Sequence, residues 1–277
     1  MASPSPKPSS CAPLPSEDRP TIHPTAIVDP RARVDPTAEL GPYTVVGPQV
    51  EIGARTRILA QVYLDGPLTI GEDNLFYPYS TIGVASQDKK YQGERAYTRI
   101  GHRNTIRECV TVNRGTAGGG ALTSIGDDNL LMAYTHVAHD VHIGHSTIIA
   151  NGVTFAGHVT VEDFANIGAF TGIHQFCRIG RNSMIGGYSV ILQDVLPFSI
   201  TSAERVTKTY GENKIGLERR GYSPEQIAAL HKAFRWLRDK KLNTTQAVEK
   251  IRTELPPDPS IEQLLAFIQT SERGFIK

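Results

Sequence analysis

Residues 125–191 read IGDDNL LMAYTH VAHDVH IGHSTI IANGVT FAGHVT VEDFAN IGAFTG IHQFCR IGRNSM IGGYSV I, and the first position of every hexad is apolar. A period of six fits neither an amphipathic helix nor a plain alternating strand. It is typical of a parallel β-helix, in which each hexad forms one side of a triangular coil and about 18 residues complete the coil. The glycine that often follows the apolar residue suits a corner where a Cβ would be crowded.

The same period extends upstream. It runs without a slip from Ile22 to Ile82, pauses, and resumes at Ile100, Ile106 and Val112. The pauses predict two loops that leave the solenoid, at residues 83–99 and 114–123. The second loop contains three consecutive glycines and suggests a flexible flap. The repeats end near residue 197, so we expect a β-helix over residues 21–197, and loops in such solenoids often carry function.

The two ends of the chain have different patterns. Residues 1–20 are rich in proline and serine, which predicts a disordered tail. Residues 198–277 predict a C-terminal helical domain. Its first helix begins at the Ser223 cap and runs to about Lys241, the second starts at Thr244 or Thr245, and the third runs from Ser260 to about Thr270.

Composition excludes several classes. The chain has 277 residues, a formal net charge of +1 and three cysteines. These values imply neither nucleic-acid binding nor a disulfide framework. No apolar run is long enough for membrane insertion and the start lacks a signal-peptide pattern, so a cytoplasmic location is expected. Residues 204–252 carry twelve basic and six acidic side chains, an excess of +6. This excess is either a solvated helical face or a dock for an acidic partner.

Histidines concentrate in the repeats. His139, His158 and His174 are separated by 19 and 16 residues, so an 18-residue coil places them in one approximate column. Neighbouring coils pair as strands about 4.8 Å apart. The column would therefore present three imidazoles over about 10 Å of surface. A single histidine on a solvated turn needs no function, but a stack of three suggests a site.

An ordered set of motifs resembles the UDP-N-acetylglucosamine acyltransferase family of lipid A biosynthesis. In chain order these are QDKKY at 87–91, IRE at 106–108, NRGT at 113–116, HVAHD at 136–140, AGH at 156–158, HQF at 174–176 and GLERRG at 216–221. The resemblance covers the chain from Ile22 onward. It implies a left-handed β-helix and a homotrimer with active sites between subunits. It also implies an acyl carrier protein whose phosphopantetheine thioester donates an (R)-3-hydroxyacyl group, with UDP-N-acetylglucosamine as acceptor and without a cofactor or metal.

The resemblance assigns roles to particular residues. His139 would be the general base, Asp140 its orienting partner, and the Gly157 N–H the oxyanion donor. We expect one subunit's His139 to face Asp88 and Lys90 of a neighbour. Gly187 resembles the position that sets acyl-chain length, and its missing side chain favours a longer chain. The residues that resemble substrate contacts are Gln87, Asp88, Lys90, His136, His158, His174, Gln175, Asn213 and Arg219.

Two positions depart from the family pattern. Some members carry His at the position of Asn113 and Glu at that of Ile215, so Asn113 receives no catalytic role. Three other functions remain open: the related N-acyltransferase of the same pathway, a zinc hydratase whose histidines hold the metal, and a non-enzymatic scaffold. The sequence also leaves open the acyl length and whether the acceptor presents a 3-hydroxyl or a 3-amino group.

Overall fold

The structure, a computed structural model, describes residues 22–203 and 207–277. The predicted disordered tail at 1–20 lies outside the described residues. The hexads form a left-handed parallel β-helix with three flat faces, as expected. Each face is a parallel sheet, apart from an antiparallel hairpin that ends the third face. The paired residues of successive coils are 18 apart except across the loops and at the last coil, where they are 16 apart.

Short strands build the three faces. The first face contains Ile27–Val28, Val45–Val46, Tyr63–Leu64, Thr81–Val84, Thr111–Asn113, His136–Val137, Thr154–Phe155, Gly172–Ile173 and Val190–Ile191. The second face contains Arg33–Val34, Val50–Ile52, Leu68–Ile70, Tyr97–Ile100, Leu122–Ile125, His142–Ile143, Thr160–Val161 and Arg178–Ile179. The third face contains Glu39–Leu40, Arg57–Ile58, Leu75–Phe76, Thr105–Ile106, Leu130–Leu131, Ile148–Ile149, Asn166–Ile167, Met184–Ile185, Ser199–Ala203 and Thr207–Glu212.

The apolar hexad residues fill the prism. Nearly all the hexad residues from Leu40 to Ile191 are buried, and they form one continuous core along the axis. Between faces the chain turns sharply, and many corner residues adopt a left-handed backbone although they are not glycine; Asp140, His158 and Phe176 have φ values of 58°, 63° and 65°. Such a residue costs about 1 kcal/mol or more. Hydrogen bonds between coils offset part of this cost, as where the His158 N–H donates to the His139 carbonyl at 3.1 Å.

Three edges separate the faces. At each edge the turns between the same two faces stack from coil to coil. The first edge, between the first and second faces, carries His139, Gly157 and their neighbours. The second edge, between the second and third faces, carries Asn182. The third edge, between the third and first faces, carries Gly187.

Both predicted loops leave the helix at the first edge. They are shorter than expected, because strands continue to Val84 and restart at Tyr97 around the first loop, and restart at Leu122 after the second. The glycine-rich second loop has a defined turn. It contains a 3₁₀ turn at Ala117–Gly119, which closes with a hydrogen bond from the Gly119 N–H to the Thr116 carbonyl at 3.0 Å.

The C-terminal part differs in detail from the prediction. Residues Ser199–Ala203 and Thr207–Glu212 pair as an antiparallel hairpin that extends the third face, and a short helix α1 (Lys214–Arg219) follows; the sequence pattern showed neither. Helix α2 (Pro224–Leu237) has the predicted Ser223 cap but ends four residues before Lys241. The last helices, α3 (Thr244–Glu254) and α4 (Pro259–Gln269), lie close to their predicted ranges.

These helices bury a second apolar core against the end of the prism. Leu230, Phe234 and Leu237 of α2 pack with Leu196 and Phe198 of the last coil. The helices therefore cap the solenoid and cover its open end. Among the described residues, none of the helices is long and apolar enough to cross a membrane.

Candidate functional site

A hydrogen-bonded pair lies at the first edge. His139 Nδ1 is 2.9 Å from Asp140 Oδ2, and the carboxylate is fully buried whereas the imidazole is 15% exposed. A carboxylate accepts only, so in the neutral imidazole the proton is on Nδ1 and Nε2 carries the lone pair. This is the arrangement in which an acid orients a histidine to accept a proton from a substrate.

The Asp140 carboxylate has further donors. The Thr116 N–H lies 3.0 Å and 3.1 Å from its two oxygens, and the Thr116 hydroxyl donates to Oδ2 at 2.6 Å. The backbone N–H of Asp140 itself donates to Thr123 Oγ1 at 2.8 Å. Hydrogen bonds of this kind compensate a buried carboxylate for its lost hydration. They also hold it in one orientation.

Gly157 lies one coil beyond His139, against its ring. A Cβ on Gly157 would be 2.5 Å from Cε1 and 2.7 Å from Nε2 of His139, so only glycine fits while the ring keeps its place. The Gly157 N–H makes no hydrogen bond within the described residues. A donor that is free and adjacent to a base is what stabilisation of an oxyanion requires.

His158 and His136 extend the site as neutral imidazoles. The ring of His158 packs edge-on against His139 at 5.1 Å between centroids and stacks on Phe176 at 4.5 Å. Burial lowers the pKa of His158 and that of His136, so both favour the neutral form at neutral pH. His136 Nδ1 is 2.7 Å from the Thr111 hydroxyl on the first face.

A cavity of about 710 Å³ opens beside these rings. The first loop lines it with Asp88, Lys90 and Glu94, and His158 and Thr116 complete its wall. Asp88 Oδ2 lies 4.0 Å from His139 Nε2 of the same chain. The expectation that His139 faces the loop of a neighbouring subunit is therefore wrong for Asp88. Both loops insert at the first edge, which brings them over their own histidine.

Known proteins match the chain along most of its length. The family profile described as Udp N-acetylglucosamine O-acyltransferase, Domain 2, matches residues 194–276, and the bacterial transferase hexapeptide profile matches residues 122–157 and 158–193. A protein of Thermodesulfovibrio yellowstonii named acyl-[acyl-carrier-protein]–UDP-N-acetylglucosamine O-acyltransferase is 48% identical over 80% of this chain and 86% of its own. One of that name from Xanthomonas campestris is 42% identical over 94% and 99%. The solved structure of LpxA from Acinetobacter baumannii superposes with a TM-score of 0.89 at 40% identity, over 93% of this chain and 100% of its own.

The chain belongs to the UDP-N-acetylglucosamine O-acyltransferase family. It is therefore an acyltransferase, and the resemblance seen in its motifs is confirmed. Members of this O-acyltransferase family act in lipid A biosynthesis.

The predicted histidine column is only partly formed in this O-acyltransferase. His139 and His158 contact each other, but the ring stacked on His158 is that of Phe176. His174 follows Ile173, which pairs with Phe155, so His174 is in register with Ala156 and not with His158. His174 is exposed, and its Nδ1 lies 3.1 Å from the Gln175 carbonyl. His158 and His174 are separated by 16 residues, two fewer than the 18 of a full coil. The predicted column therefore placed His174 two positions from its register.

Three of the remaining predicted residues lie away from the first edge, whereas Gln87 and Gln175 lie at it. Arg219 is exposed at the end of α1, and Asn213 caps that helix near the second edge. The Asn213 amide donates to the Asn182 carbonyl at 2.9 Å and its oxygen accepts from the Gly216 N–H, which makes its side chain part of the fold. Gly187 lies on the third edge. Gln87 is exposed in the first loop, and the Gln175 carbonyl accepts from Arg273.

Asn113 positions the first loop. Its side chain is 2% exposed, and its amide donates to the Ala85 carbonyl at 2.8 Å, where that loop begins. Neighbouring Arg114 pairs with Asp65 at 2.5 Å and donates to the Gly83 carbonyl. Asn113 and Arg114 therefore both hold the start of the first loop against the β-helix.

His139, Asp140 and His158 also offer ligand atoms within 4.8 Å of one another. A tetrahedral zinc site needs ligands that converge with free lone pairs at about 2 Å from the ion. Asp140 instead accepts bonds from Thr116 and His139. The group is arranged as a hydrogen-bonded acid–base pair, which argues against the hydratase alternative.

The sequence reasoning assigned no role to Thr116, which it quoted only as the end of the NRGT motif, or to Thr123. Both belong to the second loop or its end, where the phase shift interrupts the period that locates neighbours in other coils. Thr116 lies 24 residues before Asp140, a separation that no coil arithmetic predicts.

Proposed function

We propose that the protein transfers an (R)-3-hydroxyacyl group from the thioester of an acyl carrier protein to the 3-hydroxyl of UDP-N-acetylglucosamine, the first step of lipid A biosynthesis. The observation that carries the proposal is the His139–Asp140 pair, with its carboxylate buried, next to a cavity that is lined by Asp88 and His158, and with Gly157 against the His139 ring. The names of relatives more than 40% identical support the donor and acceptor.

The geometry suits direct acyl transfer. His139 Nε2 takes the proton of the sugar hydroxyl as its oxygen attacks the thioester carbonyl, and the Gly157 N–H donates to the developing oxyanion. Collapse of the tetrahedral intermediate breaks the C–S bond. The departing phosphopantetheine thiolate then takes the proton from His139. No cofactor is needed, because the thioester is already an activated acyl group.

The cavity residues suit a sugar. Asp88 accepts and Lys90 donates, so together they can bind hydroxyl groups next to His139. Neutral His158, which lines the cavity, offers one donor and one acceptor, and His136 keeps Nε2 for a substrate because its Nδ1 pairs with Thr111. We propose that His174, Gln175 and Gln87 contact more distant parts of the substrates, and that Arg219 binds the diphosphate through its forked donors.

Product analysis tests this function. The purified protein is incubated with UDP-N-acetylglucosamine and a panel of (R)-3-hydroxyacyl carrier-protein thioesters, and the product is analysed by tandem mass spectrometry. We expect the acyl group on the 3-oxygen of the sugar. Acylation only of a 3-amino sugar, or only of a 2-amino group as in the related N-acyltransferase, would contradict the proposal. The preferred thioester gives the acyl length, for which Gly187 remains the proposed determinant.

The three edges argue for a site shared between subunits. Arg219 is in the helix that Asn213 caps near the second edge, and Gly187 lies on the third edge, so one chain does not bring them to His139 on the first edge. A closed three-fold assembly places different edges of neighbours side by side. We therefore propose a homotrimer in which His139, Asp88 and Lys90 of one subunit face Arg219 of the next.

Mixed trimers test the shared site. Subunits carrying His139→Ala and subunits carrying Arg219→Ala are each expected to be nearly inactive. Equal mixing should restore about a quarter of the sites, because a site then needs His139 from one chain and Arg219 from another. Mixing His139→Ala with Lys90→Ala is the matched control and should restore nothing, since Lys90 and His139 act from one chain. Restoration in the control pair alone would contradict this arrangement.

The carrier protein is proposed to dock on α2. Its exposed residues include Lys232 and Arg235, which are three apart and lie on one side of the helix within the basic stretch. Acyl carrier proteins are acidic, and charges at an interface rim mainly speed encounter. Arg238 is left out of the test because it donates to the Tyr210 carbonyl.

Reversing both charges to Glu is expected to raise KM for the acyl carrier substrate about tenfold at low salt and to weaken its salt dependence. Steady-state kinetics at several ionic strengths provide the measurement. The KM for the UDP-sugar serves as the internal control and should not change. A rise in the sugar KM alone would show that α2 is not the dock. A cytoplasmic location, where the carrier would be met, stays a prediction.

A further inference from the structure

The second loop packs directly against Asp140, the carboxylate that pairs with His139. Thr116 is 8% exposed and contributes two donors to Asp140, its N–H and its hydroxyl. The hydroxyl bond, at 2.6 Å, reaches Oδ2, the same oxygen that faces His139 Nδ1. Rotation of the carboxylate away from His139 would break both bonds at once. Thr116 thus holds the carboxylate in the orientation that keeps one oxygen against the imidazole.

The glycines of this loop allow the close approach. A Cβ on Gly119 would be 2.1 Å from Asp140 Cγ, and one on Gly115 would be 2.8 Å from Asp140 Oδ1. Both distances are shorter than any real Cβ contact, so side chains there would displace the carboxylate or the loop. Gly115 and Gly119 are accordingly packed against Asp140, and the loop covers its carboxylate.

The same loop is tied to the loop that carries Asp88. Glu94 of the first loop accepts from the Ala117 N–H at 3.2 Å and from the Gln92 N–H at 2.8 Å. These backbone bonds hold the pKa of the Glu94 carboxyl below its usual range, so the link persists at neutral pH. The cavity wall and the cover over Asp140 therefore form one connected unit.

We propose that Thr116 is a positioning residue for the general base, acting through Asp140 to hold His139 in the orientation and tautomer that accept the acceptor's proton. The inference rests on the proposed function of His139. Thr116 itself lines the cavity, so its own contact with substrate must be separated from its action through Asp140.

Two substitutions make that separation. Thr116→Val removes the hydroxyl but keeps the shape and the N–H donor, and Thr116→Ser keeps the hydroxyl. A hydrogen bond to a charged group that is lost from the transition state predicts a fall in kcat of about tenfold or more for Thr116→Val. KM for the UDP-sugar should change less than about twofold, and Thr116→Ser should retain most of kcat. If the Val variant does not fold, Thr116→Ala removes the same donor without placing a branched apolar group at the carboxylate.

Thr44→Val is the matched control. Thr44 is fully buried and donates to the Leu59 carbonyl at 2.9 Å, four coils away from the site, or about 19 Å. It measures what the loss of a buried threonine hydroxyl does to the fold alone. We expect its kcat to match that of the unmodified protein.

A double-mutant cycle with His139→Ala decides the mechanism. If Thr116 acts through the base, Thr116→Val has no further effect on the residual rate once His139 is absent. An equal additional loss in the His139→Ala background would overturn the inference, because it would show an independent structural or binding role. Unchanged kcat in Thr116→Val, with His139→Ala inactive, would also overturn it and leave the proposed function intact. A fully active His139→Ala protein would instead overturn the proposed function.

Discussion

Replacing His139 by alanine is expected to lower kcat about 100-fold or more, the usual contribution of a general base. A sugar hydroxyl is a weak nucleophile, and no other described residue combines a free imidazole nitrogen with a buried carboxylate partner. Steady-state kinetics with the preferred thioester measure the effect. The assembled protein should form normally, because His139 is a corner residue outside the buried core.

His23→Ala is the control for this substitution. His23 lies in the first described coil and its Nδ1 pairs with the Thr25 hydroxyl, far from the first-edge site. Its kcat should equal that of the unmodified protein. A His139→Ala protein that assembles correctly and turns over at the rate of the control would refute the assignment of the base.

Replacing Gly157 by alanine should have an effect of similar size. The added Cβ would meet His139 Cε1 at 2.5 Å, so the ring must move away from the position in which its Nε2 reaches the substrate. Displacement of a catalytic group by about 1 Å can reduce the rate about 100-fold. The same methyl group would also crowd the thioester next to the Gly157 N–H. We therefore expect kcat to fall without loss of the fold.

Gly172→Ala provides a matched comparison. Gly172 lies on the first face, one coil beyond Thr154, and a Cβ there would meet nothing within 4 Å. Its backbone does not require glycine. Circular dichroism and the oligomeric state of both variants show whether the fold is retained. Equal activity of the two alanine variants would show that close approach to the His139 ring is unimportant.

The position of a residue along the period predicted much of this molecule. The hexad rule placed the buried side chains from Leu40 to Ile191 and the faces that they line, because every repeat solves the same packing problem. The helix α2 cap was predictable because Ser223 and Pro224 are local signals.

The predictions were wrong or incomplete where a loop interrupts the period, and where a contact depends on the register to within one residue. His158 is in register with Asp140, not with His139, and His174 is two positions from the column. Thr116 could not be found, because a loop outside the period brings it to Asp140 through tertiary contacts. The position of Asp88 over its own chain's His139 depends on the path of another such loop. Both contacts form because each loop leaves the β-helix at the first edge, next to His139 and Asp140, and the number of residues between the partners does not predict them.

The central claim is direct transfer by the His139–Asp140 pair. Excess protein is mixed with one equivalent of acyl carrier thioester and with UDP-N-acetylglucosamine, quenched at short times, and analysed by intact-protein and product mass spectrometry. The account predicts that loss of the acyl carrier thioester and appearance of the acylated sugar follow one time course, while the mass of the protein stays constant. An acyl adduct on the protein that forms before the product, and decays as the product appears, would contradict it.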